Sequence, residues 1–137
     1  MEKKYRLLEN DTITVGSRTL YRIEALKDFA NVKKGDKGGY IESENNLSHI
    51  GDCCVSGTAR VLGNAWVSGN ARVSGNALVC DDAHVSGNAR VSGNALVCDD
   101  AHVFGNARVL GNAWVLGNAQ ISNGIITGQV MENEQNE

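Results

Sequence analysis

The sequence predicts an all-β protein, and three observations support that prediction. From Val55 onward the chain divides into six-residue units such as VSGNAR, VSGNAL and VCDDAH. The stretch Gly69–His84 returns unchanged as Gly87–His102, eighteen residues later. A Gly-Asn or Asp-Asp pair separates successive units, and these residue types favour turns. The sequence therefore predicts a regular series of short strands joined by tight corners.

The repeated unit has the alternation of a strand. Ala and Val lie two positions apart and would face one side, while the variable residue between them faces the other. A six-residue period does not keep one face of a helix with 3.6 residues per turn, and a glycine in nearly every unit opposes helix formation. We therefore expect Val and Ala inside and the variable residues outside.

The chain has three predicted parts. Residues 1–44 lack the repeat: TITVGSRTLYRIEAL predicts a β-hairpin around Gly16 and Ser17, and VKKGDKGGYI a glycine-rich loop. Because the end of a stack of repeats exposes its core, this segment is expected to be a cap. Residues 45–128 carry the repeats, and 129–137 form an acidic tail expected to fray.

Composition limits the class of protein. A length of 137 residues suits one domain, and a net charge of -3 argues against a generally basic surface for long nucleic acids. No stretch is apolar enough for a membrane span or a secretory signal, so a cytoplasmic protein is expected. Four cysteines, at 53, 54, 80 and 98, lack the spacing of a zinc site and are expected to be thiols. No metal or cofactor is expected.

The six-residue pattern resembles the left-handed parallel β-helix (hexapeptide-repeat) family. The shared features are an aliphatic residue, two turn positions and a small residue four places after the aliphatic one, and they run from about Asn45 to Thr127. The resemblance implies that three units form one triangular coil, that the coil is left-handed, and that the protein is a parallel homotrimer. The stretch LYRIEALKDFANVKKGDKGGYIES, followed by LSHIGDC, resembles the N-terminal segment of small β-helix proteins from bacteriophages and prophages.

With eighteen residues to a coil, repeated residues stack at the strand spacing of about 4.8 Å and form three outer faces. The first face carries Cys54, Arg72, Arg90 and Arg108, with Ser56, Ser74, Ser92 and Leu110 beside them. The second face carries Arg60, Leu78, Leu96 and Trp114, with Leu62, Cys80, Cys98 and Leu116. The third face carries Trp66, His84, His102 and Gln120, with Ser68, Ser86, Phe104 and Ser122.

The second face is the predicted oligomer interface, because an apolar surface of this size is seldom left exposed by a monomer. Its predicted interface residues are Leu78, Cys80, Leu96, Cys98, Trp114 and Leu116. The alternative is that the N-terminal hairpin or the C-terminal tail covers part of it. Stacking also brings Cys80 and Cys98 within disulfide distance, although reduced, buried thiols are the expectation in a cytosolic protein.

The first face is the predicted anion-binding surface. Arg72, Arg90 and Arg108 would repel one another by about 3 kcal/mol per neighbouring pair at an effective dielectric constant near 20. Solvent, or acidic residues of a neighbouring subunit, would offset that repulsion. A phosphate-bearing ligand would also do so, because guanidinium groups bind phosphate bidentately and Ser74 and Ser92 add hydroxyls.

The third face offers flat side chains. Trp66, His84, His102 and Phe104 would stack nucleotide bases, or would form an exposed aromatic row with no ligand. In a trimer, one subunit's arginines would approach a neighbour's aromatic residues and form grooves between subunits.

Paired aspartates occupy the corners between the second and third faces. They are Asp81, Asp82, Asp99 and Asp100. Turn formation explains them, and no full oxygen shell for calcium or magnesium can be assigned. Salt bridges from these residues to a neighbour's arginines would compete with a ligand.

The resulting expectation is a non-enzymatic trimer. The phage resemblance implies a sponge that sequesters a phosphate-rich, cyclic nucleotide second messenger of bacterial anti-phage defence, in the cytoplasm of an infected or lysogenic cell. One alternative is a hexapeptide-repeat acyltransferase, for which His49, His84 and His102 are the histidine candidates. The other is a purely structural β-helix trimer.

Overall fold

The chain folds into a stack of short parallel strands with a non-repeating cap at its N-terminal end. A computed structural model describes residues 3–131. This part of the chain contains seventeen strands, one short 3-10 helix and no α-helix. It also contains no helix long and apolar enough to cross a membrane. The predicted all-β parallel solenoid with an N-terminal hairpin is therefore confirmed.

The cap is an antiparallel unit that joins the first coil. Strands β1 (Tyr5–Val15) and β2 (Arg18–Ala25) form the predicted hairpin, and β3 (Lys37–Ile41) pairs antiparallel with β2. Strand β3 then pairs in parallel with the first coil, so the cap continues a solenoid sheet. The 3-10 helix (Glu44–Asn46) follows. The buried Asn46 side chain donates hydrogen bonds to the carbonyl oxygens of Gly63 and Ala65, at 3.1 and 2.9 Å.

The remaining strands recur every six residues. They are β4 (Cys54–Val55), β5 (Arg60–Val61), β6 (Trp66–Val67), β7 (Arg72–Val73), β8 (Leu78–Val79), β9 (His84–Val85), β10 (Arg90–Val91), β11 (Leu96–Val97), β12 (His102–Val103), β13 (Arg108–Val109), β14 (Trp114–Leu116), β15 (Gln120–Ile121), β16 (Ile125–Ile126) and β17 (Gln129–Met131). Each of these strands up to β14 pairs with the strand three places further along the chain, for example β4 with β7. This pairing produces three sheets, one for each predicted face.

The predicted vertical register is confirmed. Arg72 pairs with Arg90 and Arg90 with Arg108 on the first face. The second and third faces show the same eighteen-residue register, for example Leu78 with Leu96 and His84 with His102. The interval changes at both ends, where Tyr40 pairs with Arg60 and Trp114 with Gln129, because those segments lack the repeated unit.

Val and Ala fill the interior as predicted. Each Val and Ala at the repeated positions from Val55 to Ala119 is at most 1% exposed. A buried Val contributes roughly 1.5–3 kcal/mol before conformational entropy opposes it, so many small side chains hold the stack together. The corner glycines adopt left-handed backbone, as Gly75 does with a φ of 66°. The asparagines beside them form side-chain ladders, one of them from Asn70 through Asn88 to Asn106.

The C-terminal end continues further than the repeats. Gln129–Met131 forms β17 and pairs with β14, although these residues fall in the segment predicted to be a tail. The rest of the predicted acidic tail, residues 132–137, lies outside the described residues.

Candidate functional site

A cavity of about 530 Å³ lies between the cap and the first face of the solenoid. This volume falls within the range of about 300–1,000 Å³ that is usual for small-molecule sites. The solenoid wall contributes Cys54, Val55, Ser56, Arg72, Ser74, Arg90, Ser92, Arg108 and Leu110. The cap wall contributes Tyr5, Ile23, Ala25, Phe29, Asn31, Val32, Asp36, Lys37 and Gly38. A single chain therefore forms the cavity.

The arginine column, which we define as Arg72, Arg90 and Arg108, runs along the solenoid wall. Pairing of neighbouring strands fixes the spacing of the arginines along the column. Residues stacked in the same way on the second face, Cys80 and Cys98, have Cα atoms 4.7 Å apart. Arg72, nearest the cap, is half-buried, whereas Arg90 and Arg108 are exposed. Attraction for an anion is strongest where water is partly excluded, so the end of the column beside the cap should bind a phosphate most strongly.

The column has no salt-bridge partner in the part of the chain that the structure describes. No salt bridge joins Arg72, Arg90 or Arg108 to an acidic residue anywhere in residues 3–131. Three arginines of the cap, by contrast, have acidic partners: Arg6 with Glu24, Arg18 with Glu42 and Arg22 with Asp11. The three cations at this wall are thus available to a ligand.

The cavity also contains a cysteine and two charged cap residues. Burial raises the pKa of the Cys54 thiol, and the charge of Arg72 opposes that rise. Lys37 adds a fourth cation to the lining of the cavity, and Asp36 adds a carboxylate. The Asp36 side chain accepts a hydrogen bond from the Lys33 amide at 2.9 Å, so it is used in holding the loop.

Part of the cap wall is the loop between β2 and β3, which supplies Phe29, Asn31, Val32 and Asp36. Phe29 and Val32 exchange backbone hydrogen bonds of 2.9 and 2.8 Å across a tight turn. Ala30 at its tip takes a left-handed φ of 50°, which is costly for a residue with a Cβ. Asp28 accepts from the Lys34 amide at 2.8 Å and fixes the other side of the loop. Hydrogen bonds within the loop therefore hold this part of the wall in place.

Two glycines allow the cap to approach the first coil. A Cβ on Gly38 would lie 2.5 Å from the Val55 carbonyl oxygen, and one on Gly39 would lie 2.6 Å from that of Ala59. Backbone atoms cannot yield at such distances. The cap can therefore lie this close to the first coil only with glycine at positions 38 and 39, and this contact positions the second wall of the cavity.

The third-face aromatic residues form a separate row. The rings of His84 and His102 stack with centroids 4.9 Å apart, and Trp66 meets His84 edge-on at 5.5 Å. Burial, and then the nearby His102, lower the pKa of His84, while Asp82 acts in the opposite direction. Within one chain, none of Trp66, His84, His102 and Phe104 lines the cavity. The predicted groove between subunits, where this row would meet the arginine column, stays a prediction.

The remaining histidine has a structural position in the cap. His49 stacks on Tyr5 with ring centroids 4.1 Å apart. Its Nδ1 accepts from the Lys4 amide at 3.2 Å, and its Nε2 lies 2.9 Å from a Glu44 carboxylate oxygen. Like the other two histidines, it does not line the cavity.

The corner aspartates take part in turn formation, as predicted. Asp81 and Asp99 have left-handed φ values of 59° and 63°, where other corners have glycine. Their carboxylates accept from the next coil, Asp81 from the Asp99 amide at 3.2 Å and Asp99 from the Gly117 amide at 2.9 Å. Asp82 accepts from the Asn64 side chain at 3.1 Å. Salt bridges from Asp81, Asp82, Asp99 or Asp100 to a neighbour's arginines remain a prediction.

The expectation of thiols at Cys80 and Cys98 is wrong. The structure joins them by a disulfide, because the register stacks their Cα atoms 4.7 Å apart. Cys53 and Cys54 are free thiols. The sulfur atoms of the pair lie close to the Asp81 carboxylate, but sulfurs bonded to each other are not thiolate ligands for a metal.

The second face is covered over its first coils only. Leu20 of the hairpin, Tyr40 and Leu62 form a buried cluster, and Leu78 and Cys80 pack against it half-buried. Further along, Leu96 and Leu116 are half-buried, Cys98 is buried, and Trp114 is 47% exposed. The hairpin therefore covers part of the predicted interface and leaves the C-terminal part of this face open.

The fold and the repeats define a class of protein, the parallel β-solenoid repeat proteins, and this chain is one of them. Within that class, residues 65–81, 71–87, 83–99 and 101–117 match the family described as YdcK Beta solenoid repeat. These matches cover the central coils and leave the cap outside. No curated protein matches the chain.

Sequence reasoning found one wall of the cavity and missed the other. Arg72, Arg90, Arg108, Ser74 and Ser92 were predicted to lie together, and they do. The missed cap residues include Ile23, Phe29, Asn31, Val32 and Lys37. The available signal was the Gly38-Gly39 pair, which marks a close approach of two backbones without showing what that approach encloses.

Proposed function

We propose that this protein is a non-enzymatic binding protein that holds a phosphate-rich nucleotide on its arginine column. One observation carries the proposal: three guanidinium groups without acidic partners among residues 3–131 line one side of a nucleotide-sized cavity. Guanidinium groups bind phosphate oxygens through paired, charge-assisted hydrogen bonds. A column about 10 Å long, from Arg72 to Arg108, suits a ligand with more than one phosphate group.

The composition of the cavity favours binding over catalysis. Its described lining contains no histidine, and its carboxylate, Asp36, already accepts a backbone hydrogen bond. A general base needs to reach the proton that it removes, and His49, His84 and His102 lie elsewhere. The acyltransferase alternative therefore lacks a base at this site.

The biological part of the proposal rests on resemblance. The N-terminal segment is similar to that of small phage β-helix proteins, so we propose that the ligand is a cyclic nucleotide messenger of bacterial anti-phage defence and that a homotrimer sequesters it. Sequestration requires that the nucleotide is released intact.

The test is recovery and identification of the ligand. Purified protein is mixed with a panel of linear and cyclic nucleotides, separated from free nucleotide, heated, and the released material is analysed by mass spectrometry. Recovery of an intact nucleotide supports the proposal. An altered product would instead indicate an enzyme, and recovery of none would favour the purely structural alternative.

Arg90 is the middle cation of the arginine column. Arg90→Ala should weaken binding of the recovered nucleotide roughly 10- to 100-fold, because a charge-assisted hydrogen bond contributes about 1.5–3 kcal/mol. Isothermal titration calorimetry measures the change. Arg60→Ala is the matched control, since Arg60 occupies the same position of a strand on the second face, outside the cavity. Unchanged affinity in Arg90→Ala would rule out the column as the phosphate site.

A further inference from the structure

The lining of the cavity is divided by chemistry. The solenoid wall carries three of the four cations, and the fourth, Lys37, lies on the cap. The cap also gives the cavity an apolar end, which includes Tyr5, Ile23, Ala25, Phe29 and Val32. A free polyphosphate would leave this apolar end without a partner. A ligand with a planar or apolar part joined to its phosphates would match both regions.

The two regions adjoin at the base of the column. Val55 is the interior neighbour of Cys54, which pairs with Arg72, and Val55 contacts the cap at Gly38 and Gly39. Arg72 is also the half-buried member of the column. A phosphate at Arg72 would therefore lie beside the apolar end, and further phosphates would extend along Arg90 and Arg108 towards solvent.

Phe29 is the aromatic side chain that the loop presents to the cavity. It is half-buried, and the Lys4 ammonium lies 4.5 Å from its ring centroid. The hydrogen bonds of the 29–32 turn hold its backbone, so little ordering is needed when a ligand binds. The exposed amide side chain of Asn31 is in the same lining and has both donors and an acceptor for the edge of a base.

We infer that the loop between β2 and β3 is the base-binding wall of the site, so that each chain holds one nucleotide with its base against Phe29 and its phosphates on the arginine column. This inference rests on the proposed function and makes it more specific. It moves the base from the third-face row, where sequence reasoning placed it, into the same chain as the phosphates. The site is then complete without a second subunit.

The test separates base binding from phosphate binding. ATP and inorganic tripolyphosphate are titrated by calorimetry into the wild-type protein and the Phe29→Ala variant. Loss of a stacking contact should weaken ATP binding by roughly tenfold or more and leave tripolyphosphate affinity within about twofold. Leu26→Ala, in the same loop but outside the cavity lining, is the matched control and should change neither. Binding should saturate at one ATP per chain.

The outcomes distinguish the two proposals. If Phe29→Ala leaves ATP affinity unchanged while Arg90→Ala lowers it, the phosphate site stands and the base-binding wall is refuted. If neither ATP nor tripolyphosphate binds the wild-type protein, the phosphate site itself fails, and the inference fails with it. Val32→Ala provides a second variant in case Phe29→Ala melts at a lower temperature by circular dichroism. It removes apolar contact from the same wall but keeps the ring, so it should lower ATP affinity by a smaller factor and leave tripolyphosphate affinity unchanged. Equal losses for both probes would overturn the inference.

Discussion

At the residue scale, the corners of the solenoid depend on two separate properties of glycine. One is the left-handed backbone, which Gly93 and Gly111 share with φ values of 70° and 63°. The other is the absence of a Cβ where coils stack. A Cβ on Gly93 would lie 2.8 Å from the Gly111 carbonyl oxygen, whereas one on Gly111 would meet nothing within 4 Å.

These two glycines allow the two effects to be measured separately. Gly111→Ala should lower the free energy of unfolding by about 1–2 kcal/mol, the usual penalty of left-handed backbone for a residue with a Cβ. Gly93→Ala should lower it further, because the new methyl group also pushes two coils apart. Urea denaturation of both variants provides the comparison. Equal losses would show that stacking tolerates a Cβ at this corner.

The interior residues were predictable one by one, and the aspartate corners show why. Alternation and turn preference are local properties, so Val91 and Ala89 could be placed inside from their immediate neighbours. Asp81 and Asp99 could be assigned to turns for the same reason. Their bonds to the backbone of the following coil depend on side-chain rotamers, which no local pattern specifies.

At the element scale, the hairpin was predictable and its docking was not. The turn at Gly16 follows from alternation on both sides of it, and β1 and β2 pair across it. The contact of the cap with the solenoid instead joins Leu20 and Tyr40 to Leu62, far apart in the chain. A non-repeating segment has no register to copy, so the second wall of the cavity was not foreseen.

The third-face row should make stability sensitive to acid. Burial and the charge of His102 lower the pKa of His84 below its ordinary 6.5 in the folded state. The folded protein therefore binds fewer protons than the unfolded chain between the two pKa values, and stability should fall as pH drops through and below about 6.5. Urea unfolding at pH 7.5 and pH 5 measures this difference.

A His84→Gln variant tests the source of that sensitivity. It keeps a polar side chain at the same place in the row but cannot titrate, so its loss of stability between pH 7.5 and pH 5 should be smaller than that of the wild type. Other groups, including Glu44, whose pKa is lowered by the hydrogen bond from His49, also contribute at lower pH. An identical loss in both proteins would show that His84 is not the source of the sensitivity between pH 7.5 and pH 5.

At the scale of the whole molecule, the open part of the second face is the candidate surface for self-association. Trp114 is 47% exposed and Met131, on the adjacent strand, is 48% exposed. Trp114→Glu should break an oligomer built on this face. Because position 114 is exposed, the fold of the single chain should stay intact. Light scattering after size exclusion gives the mass. Gln120→Glu adds the same charge on the third face and should leave the mass unchanged.

The same variant distinguishes a proposed nucleotide site within one chain from one formed between subunits. If Trp114→Glu reduces the mass and nucleotide binding persists, the site belongs to a single chain. If the wild type is already a monomer, the second face is not an interface in solution, and the trimer implied by family resemblance is wrong.

Each central eighteen-residue coil contributes one arginine to the first face, so the number of coils sets the number of arginines there. Residues 87–104 begin and end at equivalent positions, so excising them would join Ser86 to Gly105 in phase and leave the cap and the last coil unchanged. The first face would then present two arginines, and copying the same segment would give four. Each step changes the reach of the column by about 4.8 Å. The number of coils thus sets the number of stacked arginines, and the proposed phosphate site would change its charge by one with each coil added or removed.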